Sequence, residues 1–307
     1  MSVSVVKIVG PSYCGSTALG CAMNTGEGFF FGSEIYRQLK KFREEAKDGR
    51  FSSCDFCGPS CEYWSSDLHA TLRNLEVDSL AEVYELLAAR HPEITVIVDG
   101  SKSTPLPDEN PDFIVVPTKH PVRLLASHIY NRRTRFGIDS EQLNVVGQLL
   151  EESWDEHQRT VARAANGFLK SYRDIFALCA EAHVFRSDEA HKDGFQAFRE
   201  LEEYLGVSRG TFDPESFSRV PSHTIGGNRV PIWLTKNASG QSIPNNPRFE
   251  YYSSSSSLGD WKLDDKFEHV FRPPTLDAIS SLPAYQALCE LLDYDARPPA
   301  HSRSIPS

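Results

Sequence analysis

Two short segments carry residue types that can grip an anion. The first is Gly10-Pro11-Ser12-Tyr13-Cys14-Gly15-Ser16-Thr17, which follows a β-branched stretch and precedes an apolar one. A helix opening at such a loop presents unpaired N–H groups and a partial positive charge, which attract phosphate or sulfate. Gly15 lets the backbone approach closely, and the hydroxyls of Ser16 and Thr17 can donate to anion oxygens. Gly10 and Gly15 have Walker A spacing, but Ser16 stands where that motif needs lysine. Read alone, the loop serves equally as a plain strand-to-helix turn. The second segment is Lys119-His120-Pro121-Val122-Arg123, with Ser127 eight residues after Lys119 and Tyr130 three further on. A cation at a strand end and a hydroxyl two turns into a helix can hold one phosphate group between them. The plainer alternative is a basic helix start with solvated charges.

Two further clusters bear on chemistry. Glu34 follows Phe29-Phe30-Phe31-Gly32-Ser33, and such an apolar approach favours the neutral form of a carboxylate and suits a general base. Its alternative role is to complement a helix dipole. His128 is the competing base. It neighbours Ser127 on the same expected helix and so points to another face, and His120 is a weaker candidate still. Cys54-x-x-Cys57-x-x-x-Cys61, followed by Tyr63-Trp64, places three thiols within eight residues. With a fourth ligand such as His69 or Cys14 they can hold zinc. Zinc sites usually show two spaced pairs, and only one clear pair is present, so free thiols and no metal are expected.

The elements that must position these residues alternate between strand and helix. Val3 to Val9 reads as a buried strand, Thr17 onward as a helix, and Glu27 to Phe31 as a turn or short strand. Ile35 to Ala46 and Leu80 to Arg90 have helical spacing, and 51–64 is expected to be irregular. Ile94 to Val98, Phe113 to Val116 and Val184-Phe185 read as strands. Pro121 opens a helix running to about Arg135, Leu143 to Ala182 is a long helical stretch, and a helix from Phe195 to Leu205 ends at Gly206. This alternation predicts an α/β fold with a central parallel sheet covered on both faces. Beyond about Thr211 the periodicity fades, and Pro, Gly, Asn and Ser dominate 221–257. The reading is one domain over 1–307, with about 211–307 forming an irregular C-terminal segment that packs over a site.

Composition narrows the partners. The 307 residues carry a formal net charge of −10, which disfavours nucleic acid, since phosphate backbones need clustered Lys and Arg. No apolar run reaches the length of a membrane span, and no leader pattern opens the chain, so a cytoplasmic protein with no membrane partner is expected. Seven cysteines without a secretory signal favour free thiols over a disulfide framework.

Taken together, the two anion-binding segments resemble the sulfotransferase family that uses 3′-phosphoadenosine 5′-phosphosulfate (PAPS). That family has P-[RK]-S-G-T-T-x-L after its first strand, and this chain offers Ser12-Tyr13-Cys14-Gly15-Ser16-Thr17-Ala18-Leu19. The family's R-[DN]-P-R-x-x-x-x-S-x-x-Y is matched by the segment from Lys119 through Pro121, Arg123 and Ser127 to Tyr130. Its lysine-containing turn corresponds to Val98-Asp99-Gly100-Ser101-Lys102, and the acidic turn and Leu-Gly helix end to Ser187-Asp188-Glu189 and Leu205-Gly206. His223-Thr224-Ile225-Gly226-Gly227-Asn228 and Gly259-Asp260-Trp261-Lys262 resemble its C-terminal elements.

The resemblance implies a three-layer, P-loop NTPase-like domain that binds PAPS and releases 3′-phosphoadenosine 5′-phosphate (PAP). A sulfuryl group would move in line, without a metal, to a hydroxyl or amine of a small-molecule acceptor. It further implies cofactor contacts from Tyr13 to Ala18, Lys119, Arg123, Ser127, Trp261 and Lys262, and catalytic roles for Glu34, Lys102 and His128. Tyr13 departs from the family pattern, which has a cation there. Lys102, Arg123 and Arg37 are candidates to replace it, and serines replace the basic residues before Gly259. A nucleotide-dependent kinase and a cofactor-binding but inactive relative are the rival readings.

Overall fold

A computed structural model describes residues 3–36, 54–72, 80–102, 110–135, 154–217, 219–224, 233, 235–237, 239–242, 271 and 273–299. These fall into two compact units. The first comprises Met1–Gly10, Gly15–Pro117 and Cys179–Lys262, and the second Pro11–Cys14, Thr118–Leu178 and Leu263–Ser307.

The first unit is built on a sheet. Strands β1 (Ser4–Val9), β2 (Phe29–Ser33), β3 (Val96–Lys102), β4 (Phe113–Thr118) and β5 (His183–Arg186) lie in the order β2-β3-β1-β4-β5. β1 pairs in parallel with β3 and β4, and β2 with β3. Alternate side chains of a strand face opposite ways, and the core divides accordingly. Val6, Ile8, Phe31 and Val98 pack with α1 (Ser16–Met23), with α6 (Gln196–Leu205) and with Phe212 and Phe217. Val5, Phe30 and Ile97 pack on the other face with Trp64, with Leu68 and Leu72 of α2 (Ser66–Leu72), and with α3 (Leu80–Arg90). The sheet is thus covered on both faces, as the alternation predicted.

Helix α4 (Pro121–Arg135) belongs to the second unit, where it meets α5 (Trp154–Leu178) and α8 (Pro283–Leu292). α7 (Pro273–Ser280) precedes α8. The segment 211–307 is not wholly irregular, because α7 and α8 lie within it and bury Leu276, Ile279, Tyr285, Leu288, Cys289 and Leu292. The strand expected at Ile94 to Val98 starts two residues later and continues to Lys102. Asp99, Ser101 and Lys102 hid it, being polar residues that the sheet satisfies internally. The helix expected from Ile35 begins there, but beyond Tyr36 it lies outside the described residues, as do Arg37, Trp261 and Lys262. Among the described residues no helix is long and apolar enough to cross a membrane.

Candidate active site

Because β2, β3, β1 and β4 run parallel, the segments that follow them emerge from one edge of the sheet. β1 continues toward β2 on one side, whereas β4 continues toward β5 on the other. A reversal of strand order of this kind is where open α/β sheets generally bind ligands.

At this edge β1 gives way to the Gly10–Thr17 loop. The N–H of Gly10 donates to the Lys102 carbonyl at 3.4 Å. Gly15, with φ of 100°, turns the chain into α1, and no side chain caps the helix start. The first turn of α1 therefore has backbone donors to offer an anion. Ser16 and Thr17 are buried there, and Ala18 is half-buried.

Glu34 and Lys102 meet at the ends of β2 and β3. Lys102 Nζ donates to Glu34 Oε1 at 2.7 Å, with the carboxylate nearly buried and the ammonium about one-fifth exposed. A hydrogen-bonded chain fixes this corner from behind. Tyr84 Oη donates to Asp99 Oδ2 at 2.8 Å, and the backbone N–H and hydroxyl of Ser101 donate to Asp99 Oδ1 at 2.9 and 2.5 Å. Tyr36 N–H donates in turn to Ser101 Oγ at 3.1 Å, which anchors the turn carrying Glu34. Lys7 Nζ lies 3.6 Å from Asp99 Oδ2, with both side chains fully buried. No motif pointed to Lys7 or Tyr84. The available signal was a lysine inside an otherwise β-branched strand.

Backbone strain is found at the same strand ends. Ser33 and Lys102 hold positive φ, at 65° and 64°, and in the second unit Tyr13 does so at 77°. Non-glycine residues in this region cost of order 1–3 kcal/mol each and persist where the surroundings over-determine them, commonly at functional sites.

The second unit holds Tyr13, Cys14, Lys119, Arg123, Ser127 and His128. Arg123 and Ser127 stand one turn apart on α4 and both are buried, and Lys119 precedes the helix half-buried. The Tyr13 ring meets His128 edge-on at 5.8 Å, and His128 meets Phe168 likewise at 5.7 Å. His120 acts as a structural group. Its Nδ1 accepts from Val122 N–H at 3.3 Å, so the proton sits on Nε2, 3.1 Å from the Asp295 carbonyl. That arrangement engages both ring nitrogens of His120.

The three clustered cysteines meet a histidine that their spacing did not point to. Cys54, Cys57 and Cys61 converge with His223, and their four ligand atoms lie within 4.8 Å of one another. The fourth donor is neither His69, which is buried in α2, nor Cys14, which belongs to the other unit. The hydrogen bond with Cys54 pulls the Cys61 thiol well below its ordinary range, with His223 assisting, and pushes Cys54 up. Burial raises Cys57. All seven cysteines are free of disulfides.

Comparison with known proteins adds no identification: no protein-family model and no curated protein matches the chain.

Proposed function

We propose that the chain is a PAPS-dependent sulfotransferase of P-loop-like fold acting on a small-molecule acceptor. The observation that carries this reading is the joined corner at the sheet edge, where the start of the β1–α1 loop is hydrogen-bonded to Lys102 and Lys102 is paired with Glu34. An anion-binding loop, a cation and a carboxylate base are the parts that in-line sulfuryl transfer requires. The strand order, with β1 beside both β3 and β4, supports a P-loop-like assignment.

In this reading the α1 N-terminus with Ser16 and Thr17 binds the 5′-phosphosulfate, and Lys119, Arg123 and Ser127 hold the 3′-phosphate. PAPS supplies the sulfuryl group. Glu34 accepts the proton of the attacking hydroxyl or amine. Lys102 supplies positive charge near the breaking S–O bond, a task that falls to it because Tyr13 carries none. The carboxylate must exchange its Lys102 contact for the acceptor proton, so the ammonium is freed as the base engages.

A second reading, a PAPS-binding relative that does not transfer, draws on Tyr13, whose ring lies against His128 where a cation is otherwise required. Incubating the protein with sulfur-labelled PAPS and a pool of metabolites separates the two. Labelled product that depends on Lys102 supports transfer. PAP binding without any labelled product supports the binder, and absence of both overturns the assignment.

A further inference from the structure

We propose that Cys54, Cys57, Cys61 and His223 form a structural zinc site that clamps the 54–64 loop to the 221–224 segment. Three donors lie close together in one loop and the fourth, His223, is distant in the chain, yet all four converge within the first unit. Cys57 Sγ lies 3.2 Å and Cys61 Sγ 3.5 Å from His223 Nδ1. With Zn–S near 2.3 Å and Zn–N near 2.0 Å, the edges of a tetrahedron measure about 3.5–3.8 Å. No pair exceeds 4.8 Å, so the widest separation closes by no more than about 1 Å to reach that figure. Three thiolates and one imidazole in tetrahedral reach select zinc over hard, oxygen-seeking cations.

The surroundings are built for this purpose independently of the donors. Cys57 N–H donates to Cys54 Sγ at 3.4 Å. Such N–H···S bonds orient thiolates and offset their charge. Gly58 closes the Cys54–Cys57 turn with φ of 74°, and its N–H donates to the Cys54 carbonyl at 2.9 Å. The left-handed conformation is one that glycine adopts without strain. His223 is held by contacts outside its ring. Trp64 Nε1 donates to the His223 carbonyl, and Asp55 N–H donates to the Thr224 carbonyl at 2.8 Å. The ring also packs at a tilt against Tyr63, with centroids 4.6 Å apart. Four protein ligands leave no open position, which is the mark of a structural rather than a catalytic zinc.

This inference does not rest on sulfuryl transfer, and its test reads metal alone. The full chain, purified without a metal-binding tag and dialysed against trace zinc, should contain about one zinc per chain by elemental analysis. Chelation should expose three additional reactive thiols and lower the unfolding temperature. Cobalt loading should give thiolate-to-metal absorption. His223→Ala should lose the metal, whereas His223→Cys, which restores a four-ligand set, should keep it. The unaltered chain decides the matter even if a variant fails to fold. Three thiols that react freely without chelation, a Cys54–Cys61 disulfide, or a His223→Ala variant that holds zinc as tightly as the parent would each overturn the proposal.

Discussion

Two lysine–carboxylate pairs lie in the same sheet and differ in almost every physical respect. Lys7 and Asp99 face each other across β1 and β3, with no solvent exposure and a 3.6 Å separation. Lys102 and Glu34 sit where β3 and β2 end, 2.7 Å apart, with the ammonium partly in water. A buried pair is costly to desolvate, and it survives only when hydrogen bonds satisfy the remaining oxygens. Asp99 has that support from Tyr84 and Ser101. Its product is position, since Ser101 holds the turn bearing Glu34. The edge pair can open at less cost, so its carboxylate can exchange partners. One pair therefore sets geometry, and the other is the one that the proposed transfer would use.

Swapping one atom in each carboxylate separates the two roles. Glu34→Gln keeps shape and removes the proposed base. Turnover measured by labelled sulfuryl transfer should fall about 10²–10⁴-fold, with PAP affinity and unfolding midpoint nearly unchanged. Asp99→Asn leaves the Lys7 charge buried without its counter-ion and should cost about 3–5 kcal/mol of stability in denaturant unfolding. If Glu34→Gln unfolds the protein as readily as Asp99→Asn, the contrast between the pairs collapses.

A smaller effect is expected at the other end of the proposed donor. Lys119→Ala should weaken PAP binding by about 1.5–3 kcal/mol, the size of a charged hydrogen bond, and leave 5′-AMP binding unaltered. Calorimetry with both ligands checks this. Equal losses for the two would remove Lys119 from the 3′-phosphate.

The parts legible in the sequence were those whose local chemistry is self-sufficient. Pro121 at a helix start and Gly206 at a helix end marked α4 and α6, because proline and glycine constrain the backbone wherever they stand. The β-branched run of β1 and the loop after it were equally plain. What stayed hidden depends on partners distant in the chain. Polar Asp99, Ser101 and Lys102 do not read as strand until Lys7, Tyr84 and Glu34 are brought to them. His223 follows Cys61 by more than 150 residues, and no spacing rule links the two. α8 was different, since Tyr285, Leu288, Cys289 and Leu292 fall at helical spacing. Its signal was present but was masked by the serine-rich composition upstream.

The sheet also tolerates a titrating group at its far side, and there the smallest effect is expected. His183 opens β5 and stacks on Tyr204 at 5.1 Å. Burial lowers its pKa below the ordinary 6.5, and the charge of Glu200 opposes this only in part. The unfolded chain therefore binds this proton more tightly than the folded one. Stability is fully present above about pH 6.5 and is lost as pH falls toward and through the lower folded value. Most carboxylates titrate below this range, near pH 4, so they contribute little to the slope. His183→Phe keeps a ring against Tyr204 and cannot take up a proton. The difference in unfolding free energy between the parent and this variant should shift in the variant's favour as pH falls from 7 to 5.5. A difference that stays flat across that interval would mean that His183 is charged as readily in the fold as in water. The packing of β5 against Tyr204 would then not exclude the proton as its burial requires.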